Sequence, residues 1–335
     1  MINIKPSMIL DAVCYFEKGI YFSQKQWMIK EQIIITEDLN RINTGLVNDC
    51  LSMSTVSLII SAFYNNENLD TYNLDDLLYV FENIHLVNKV VRERITNDFQ
   101  KNYVYTTLEW LISKYAEIYI KNINKLKQNH FDLYWEKEIY PKVQDNIEKK
   151  KMALEKVNIK SILNNICLLK NINTMKDITI YVSFMACPTA FTLYNGYLDN
   201  VLGTRLDNML AHELMHGFAS NDLINQYCMF MGSNEYLKEC HRFLINDMHS
   251  GDEEELVMSA EYYLLYLNGT SKQDIYRYVK QNYGYNLPLS VVLFELATRE
   301  KKMIIDYNSW LLNKFYRNEI PKITKSYIED LLGNE

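Results

Sequence analysis

To about residue 165, apolar residues recur at helical spacing, as in Leu77, Leu78, Phe81 and Ile84 and again in Leu108, Leu111 and Ile112, with polar residues between them. A period near 3.6 predicts amphipathic helices, and no stretch there alternates as a strand does. From Trp135 to Leu154 the charges of Glu136, Lys137, Glu138, Glu148, Lys149, Lys150 and Lys151 surround a thin apolar stripe. This predicts a long solvated helix joining two halves, begun or kinked at Pro141. After Asp177 the period shortens to two: Ile178, Ile180 and Val182 alternate with Thr179, Tyr181 and Ser183, as in a strand buried on one face. Pro188 signals a turn, Ala190 to Tyr194 reads as a second strand, and Asn195-Gly196 is a hairpin-type dipeptide ahead of Tyr197 and Leu198. Thr204 offers an N-cap with Asp207 three residues on, which predicts a helix from about Arg205 past Phe218, and beyond Glu255 the pattern is helical again. The expected architecture is a predominantly helical α+β chain. A helical region spans 1–165, and a second region, 166–335, holds a small mixed sheet and the helix that follows it.

Composition narrows the function. The chain of 335 residues is 48% hydrophobic and 23% charged, the balance of a globular protein long enough for two cores. Only 10 glycines and 5 prolines occur, which suits long helices and not turn-dense β architectures. With 35 basic against 42 acidic residues the net charge is −7, and no dense Lys/Arg run is present to neutralise a row of phosphates, so nucleic acid is not an expected partner. The cysteines Cys14, Cys50, Cys167, Cys187, Cys228 and Cys240 are scattered without a Cys-x-x-Cys pair and read as buried, reduced thiols. Asp11 and Glu17 interrupt the place where a signal peptide needs an apolar centre, and the run from Val56 to Phe63 is far short of the ~20 residues that span a bilayer. No membrane span is expected. The cytoplasm is the default location, and delivery by a non-classical route would leave the same pattern.

The chemistry is concentrated in Asn208-Met209-Leu210-Ala211-His212-Glu213-Leu214-Met215-His216-Gly217-Phe218. Four-residue spacing puts His212 and His216 one turn apart on one helix face, where two imidazole nitrogens can take adjacent corners of a tetrahedral zinc site. Glu213 leaves the helix beside that face, placed to act as general base toward a metal-activated water. The uncharged residues around the motif suit a helix buried on several sides with polar groups only toward the metal. A catalytic zinc keeps three protein ligands and one open position, so a third donor is required. Downstream lies Gly251-Asp252-Glu253-Glu254-Glu255-Leu256-Val257-Met258-Ser259-Ala260-Glu261-Tyr262-Tyr263, an acidic helix start running into an apolar stripe.

The stretch from about 177 to 265 resembles the zincin metallopeptidases, in which strands precede the His-Glu-x-x-His helix. The resemblance implies that Ala190 to Tyr194 would pair with an extended substrate by β-augmentation. The acidic helix resembles the glutamate helix of the gluzincin branch, and its Glu-Glu-Leu run that of clostridial neurotoxin proteases. On that likeness Glu255 is the expected third ligand, with Ser259 as its supporting partner. Glu254 is the next choice, because about 100° of helix phase decides which carboxylate points inward. Glu261 is a further choice or a supporting acid, and Asp222 occupies the third-ligand position of the metzincin branch, whose glycine turn is replaced here by Ala219. His241, His249, Tyr262, Tyr263 and Tyr266 are candidates to stabilise an oxyanion, while His85 and His130 read as structural.

These readings converge on a zinc-dependent metallopeptidase acting on a peptide or protein substrate, with metal ligands His212, His216 and Glu255, Glu213 as general base, and no second cofactor. The alternative is a zinc-binding protein-interaction module or a lapsed protease without hydrolytic activity, against which an intact Glu213 speaks.

Overall fold

The computed structural model describes residues 2–21, 53–96, 98–156, 158–175, 177–184, 191–194, 196–200, 206–246 and 250–333. The chain is predominantly helical α+β and divides into two compact units, Met1–Glu155 with Lys176–Thr204, and Lys156–Met175 with Arg205–Glu335. This grouping differs from a division at residue 165, because the strands near residue 180 join the first unit.

The first unit is built on a four-stranded sheet in the order β1-β2-β4-β3, made of β1 (Ile2–Pro6), β2 (Ile178–Ser183), β3 (Phe191–Leu193) and β4 (Gly196–Asn200). β2 lies between β1 and β4 and runs parallel to both, while β3 is antiparallel to β4, so the sheet is small and mixed. The expectation of no strand before residue 165 is corrected by β1. Its five residues end in a proline and show only Ile2 and Ile4 on one side, too few alternations to register as a period. Gly196 starts β4 where the backbones close in: a Cβ there would meet the Thr179 carbonyl oxygen at 2.3 Å. Pro188, Ala190 and Asn195 lie outside the described residues.

Among the described residues, helices α1 (Met8–Tyr21), α2 (Met53–Phe63), α3 (Leu74–Glu82), α4 (Ile84–Arg94), α5 (Asp98–Trp110), α6 (Ala116–Gln128), α7 (Phe131–Tyr134) and α8 (Tyr140–Glu155) also belong to this unit. One π-helical turn, Leu111–Tyr115, links α5 to α6, and another, Trp135–Ile139, links α7 to α8. Charged α8 is not a solvated connector: Val143, Asn146, Ile147 and Lys150 are buried, and the helix packs against β1 and β2. Pro141 is the second residue of α8 and follows directly on the π-helical turn Trp135–Ile139, so it lies within a continuous helical stretch. At the carboxyl end of β2, fully buried Asp11 of α1 accepts hydrogen bonds from Trp135 Nε1 at 2.8 Å, from Phe184 N at 3.1 Å and from the Ser183 hydroxyl. Burial of a carboxylate is tolerated only with such partners.

The second unit consists, among the described residues, of helices α9 (Ile159–Leu169), α10 (Leu206–Met215), α11 (Asn221–Met231), α12 (Glu235–Asn246), α13 (Glu254–Leu267), α14 (Lys272–Tyr283), α15 (Pro288–Thr298), α16 (Tyr307–Tyr316) and α17 (Lys325–Leu332). Every residue of α13 from Glu255 to Leu265 is buried, the mark of a helix enclosed on all sides, and it packs against α9, α10, α14 and α15. That central position explains why its few acidic side chains must each find a partner. No described helix is long and apolar enough to cross a membrane.

Candidate metal centre

Helix α10 supplies the first part of the site and ends earlier than its sequence pattern predicts, at Met215 and not past Phe218. The cause is Gly217, whose φ of 75° lies in the left-handed region that glycine reaches without strain. Its amide turns to the Glu253 carboxylate, with N–O distances of 2.9 and 3.1 Å, and Ala219 N donates to the same carboxylate at 3.1 Å. His212 therefore stands within the helix and His216 on the residue just beyond it, their ring centroids 5.0 Å apart. Thr204, Arg205 and His249 lie outside the described residues.

Helix α13 supplies the rest. His212 Nε2 lies 3.3 Å from one oxygen of Glu254, and His216 Nε2 lies 3.9 Å from the other. One ligand atom from each of His212, His216 and Glu254 can be chosen so that all lie within 4.8 Å of one another. The opposite ring nitrogens are also engaged. Glu261 lies 3.1 Å from His212 Nδ1, and Glu253 lies 3.5 Å from His216 Nδ1. Each imidazole thus turns Nε2 toward Glu254 and has Nδ1 held by a buried carboxylate, the arrangement that fixes ring orientation and tautomer in histidine metal sites.

The electrostatics describe a pocket of excess negative charge. Burial works to lower the pKa of His212, yet Glu254 and Glu261 overcome it and raise that pKa well above the ordinary imidazole value. His216 is raised more modestly against the same burial, chiefly by the hydrogen bond to Glu253. Burial pushes the Glu254 carboxyl up, but His212 and His216 pull it down to about 2. Burial leaves Glu261 above its usual range despite His212. Glu213, only 7% exposed, adds its charge to the same cluster, acting on both His216 and Glu261. Four carboxylates around two imidazoles call for positive charge, which two imidazolium protons or one divalent cation could supply. The two-nitrogen, one-oxygen donor set of His212, His216 and Glu254, with outer carboxylates on both rings, could hold a metal ion.

The expected third ligand is corrected. Glu255, though next to Glu254, is turned into the core, where it accepts Leu289 N at 2.7 Å and Ser290 N at 3.1 Å at the start of α15 and Tyr227 Oη at 3.2 Å. Those donors hold its pKa down, but burial outweighs them and lifts it to about 7. One residue of helix phase separates the two carboxylates. Ser259 is likewise not the supporting partner: its hydroxyl donates to Leu256 O at 2.6 Å and accepts Tyr307 Oη at 3.2 Å. Glu261 takes the supporting place beside His212.

Asp222, in the first turn of α11, accepts Tyr316 Oη at 2.6 Å and is not brought to the histidines. His241 lies 3.3 Å from Asp252 and 3.4 Å from Tyr227 Oη, on the Glu255 side. Tyr263 receives the Ile304 amide at 3.3 Å, and Tyr266 is exposed. Two neighbours escaped the sequence reading. Glu253 was hidden within a triple-Glu helix start, a pattern that ordinarily complements a helix N-terminus. Tyr283, last residue of α14, has its phenol pKa raised by burial, by Tyr278, and by Glu261 and Glu254, which places it near the cluster. Nothing in a chain of 26 tyrosines singles it out. The segment expected to pair with substrate contains β3, an edge strand of the first unit against which α2 packs, and Tyr194 N there donates to Ser61 Oγ at 2.9 Å. No protein-family model, curated protein or solved structure matches this chain.

Proposed function

We propose that this chain is a zinc metallopeptidase of gluzincin-like design, with His212, His216 and Glu254 as the metal ligands. The observation that carries the reading is the convergence of those three side chains, with both imidazoles backed by buried carboxylates and Glu213 one residue from the first histidine. When bound, zinc supplies a Lewis acid that acidifies water and polarises a carbonyl.

The remaining steps belong to the chain's own residues. Glu213 takes a proton from the attacking water and returns it to the leaving amine as the peptide C–N bond breaks. Glu261 and Glu253 hold the rings so that Nε2 of each histidine faces Glu254.

The test is zinc content of the purified protein together with peptide hydrolysis by wild type and Glu213→Gln. One zinc per chain in both proteins, with a rate loss of about 100-fold or more in the variant, is the expected result. No zinc in wild type after reconstitution, or equal hydrolysis by both proteins, overturns the reading. Zinc held without hydrolysis by wild type would favour a binding module instead.

A further inference from the structure

Lys170 is the residue just past α9, and its backbone is closely fixed. Its own N–H bonds back to Ile166 O at 2.9 Å, Asn171, in the left-handed conformation at φ 52°, donates its N–H to Leu168 O at 3.1 Å, and Ile172 N closes the turn on Cys167 O at 2.9 Å. From that anchored position the side chain extends to the end of the metal helix. Nζ donates to Leu214 O at 2.9 Å and to His216 O at 2.8 Å.

Leu214 O is among the last carbonyls of α10, which have no partner within the helix, and His216 O lies just past its end. A cation at a helix C-terminus also opposes the negative end of the helix dipole. The Glu253 carboxylate approaches the same turn from the other side, taking the amides of Gly217 and Ala219 and facing His216 Nδ1. Burial lowers the pKa of Lys170 below the ordinary lysine value, and the charge of Glu253 offsets that only in part. His216 is thus gripped at its carbonyl by a cation and at its ring by an anion, at the point where the helix has already ended. A ligand lying beyond the last helical residue needs such a restraint, because α10 itself does not fix its φ and ψ.

We infer that Lys170 is a positioning residue for the metal centre, which holds His216 in ligating geometry by binding the carbonyls of Leu214 and His216. The inference rests on the proposed ligand set and extends it to a residue on a separate helix, distant in sequence and outside every motif.

The experiment compares wild type, Lys170→Met and Lys170→Arg in cobalt(II) binding, reading the visible d–d bands, and in zinc affinity measured against a chromophoric chelator. Lys170→Met keeps the length of the stem and removes the donors. It is expected to weaken metal affinity by roughly tenfold, the low end of the loss seen when outer-shell partners are removed, and to alter the cobalt bands. Lys170→Arg, which retains charge and donors, is expected to restore the wild-type bands. The core truncation Ile328→Ala, in α17, lowers stability and leaves the cobalt spectrum unchanged, separating positioning from general destabilisation. Wild-type affinity and spectrum in Lys170→Met would overturn the inference, as would equal spectral change in Ile328→Ala. If Lys170→Met does not fold, Lys170→Gln is read by the same criteria. Wild type that binds neither metal would instead refute the metal centre itself, and the role of Lys170 with it.

Discussion

Glu254 and Glu255 are adjacent in sequence, yet their carboxylates serve different elements: Glu254 lies 3.3 Å from His212 Nε2, whereas Glu255 accepts the Leu289 amide at 2.7 Å. The first faces the candidate metal centre, and the second stitches α13 to the start of α15. This division gives a sharp expectation. Glu254→Gln should lose the metal or bind it at least tenfold more weakly, while Glu255→Gln should retain one metal per chain. Elemental analysis of the two dialysed variants decides it, and the opposite outcome would return Glu255 to the ligand set.

Glu255 should also leave a mark on stability against pH. Its carboxyl is raised from 4.5 to about 7 in the fold. The folded state therefore holds the proton more tightly than the unfolded chain, and this contribution is complete below about 4.5 and lost as pH rises through about 7. The span corresponds to a few kcal/mol at most, on the order of 1.4 kcal/mol per unit. In chelator, the urea midpoint of wild type is expected to fall between pH 5 and pH 8 more steeply than that of Glu255→Gln. Parallel curves would show that the Glu255 proton is not linked to folding.

Glu261 holds the outer nitrogen of His212 at 3.1 Å. Glu261→Gln keeps the size of the side chain and removes its charge, so metal stoichiometry should persist while affinity falls about 10- to 100-fold, as measured by chelator competition. An unchanged affinity would mean that His212 is oriented by packing alone.

In the first unit, the buried carboxylate of Asp11 and the indole N–H of Trp135 meet at 2.8 Å. Asp11→Ala would strand the donors of Trp135, Ser183 and Phe184, and a loss of about 3 kcal/mol or more is expected from the unmet hydrogen bonds. Trp135→Phe removes one donor and should cost about 1–2 kcal/mol. A double-mutant cycle by chemical denaturation should give a coupling of about 1 kcal/mol, and simple additivity would deny the contact its energetic role.

What was legible in the sequence follows the range over which each signal acts. His212 and His216 declare themselves because i and i+4 share a helix face at any position. β2 declares itself because Ile178, Ile180 and Val182 alternate with Thr179, Tyr181 and Ser183, yet it is not buried on one face only, since Tyr181 and Ser183 are buried too. The choice between Glu254 and Glu255 depends on the rotation of α13 about its own axis, which is set by what packs around it and not by the local string. β1 and the early end of α10 were missed for related reasons. The first is a strand only because β2 runs beside it, and the second stops where a distant carboxylate captures two amides. α8 reads as a solvated connector from its charges, since only Val143 and Ile147 of its buried residues are apolar and Asn146 and Lys150 are buried with them.

The pairing of β1 with β2 bears on the order in which the molecule can be assembled. Ile2 meets Ile178, and Pro6 meets Val182. On a ribosome the residues of β1 emerge ahead of those of β2 and wait through the synthesis of nine described helices, α1 to α9, before their partner strand exists. The helices between can form from local contacts, but the sheet closes only once the chain has been extended through Asn200. A fragment ending near residue 165 keeps one strand of this sheet and lacks the other three, leaving the edges of Ile2–Pro6 unpaired. Such a fragment is expected to aggregate, and an early ribosomal pause before Ile178 would expose the same edge in the cell.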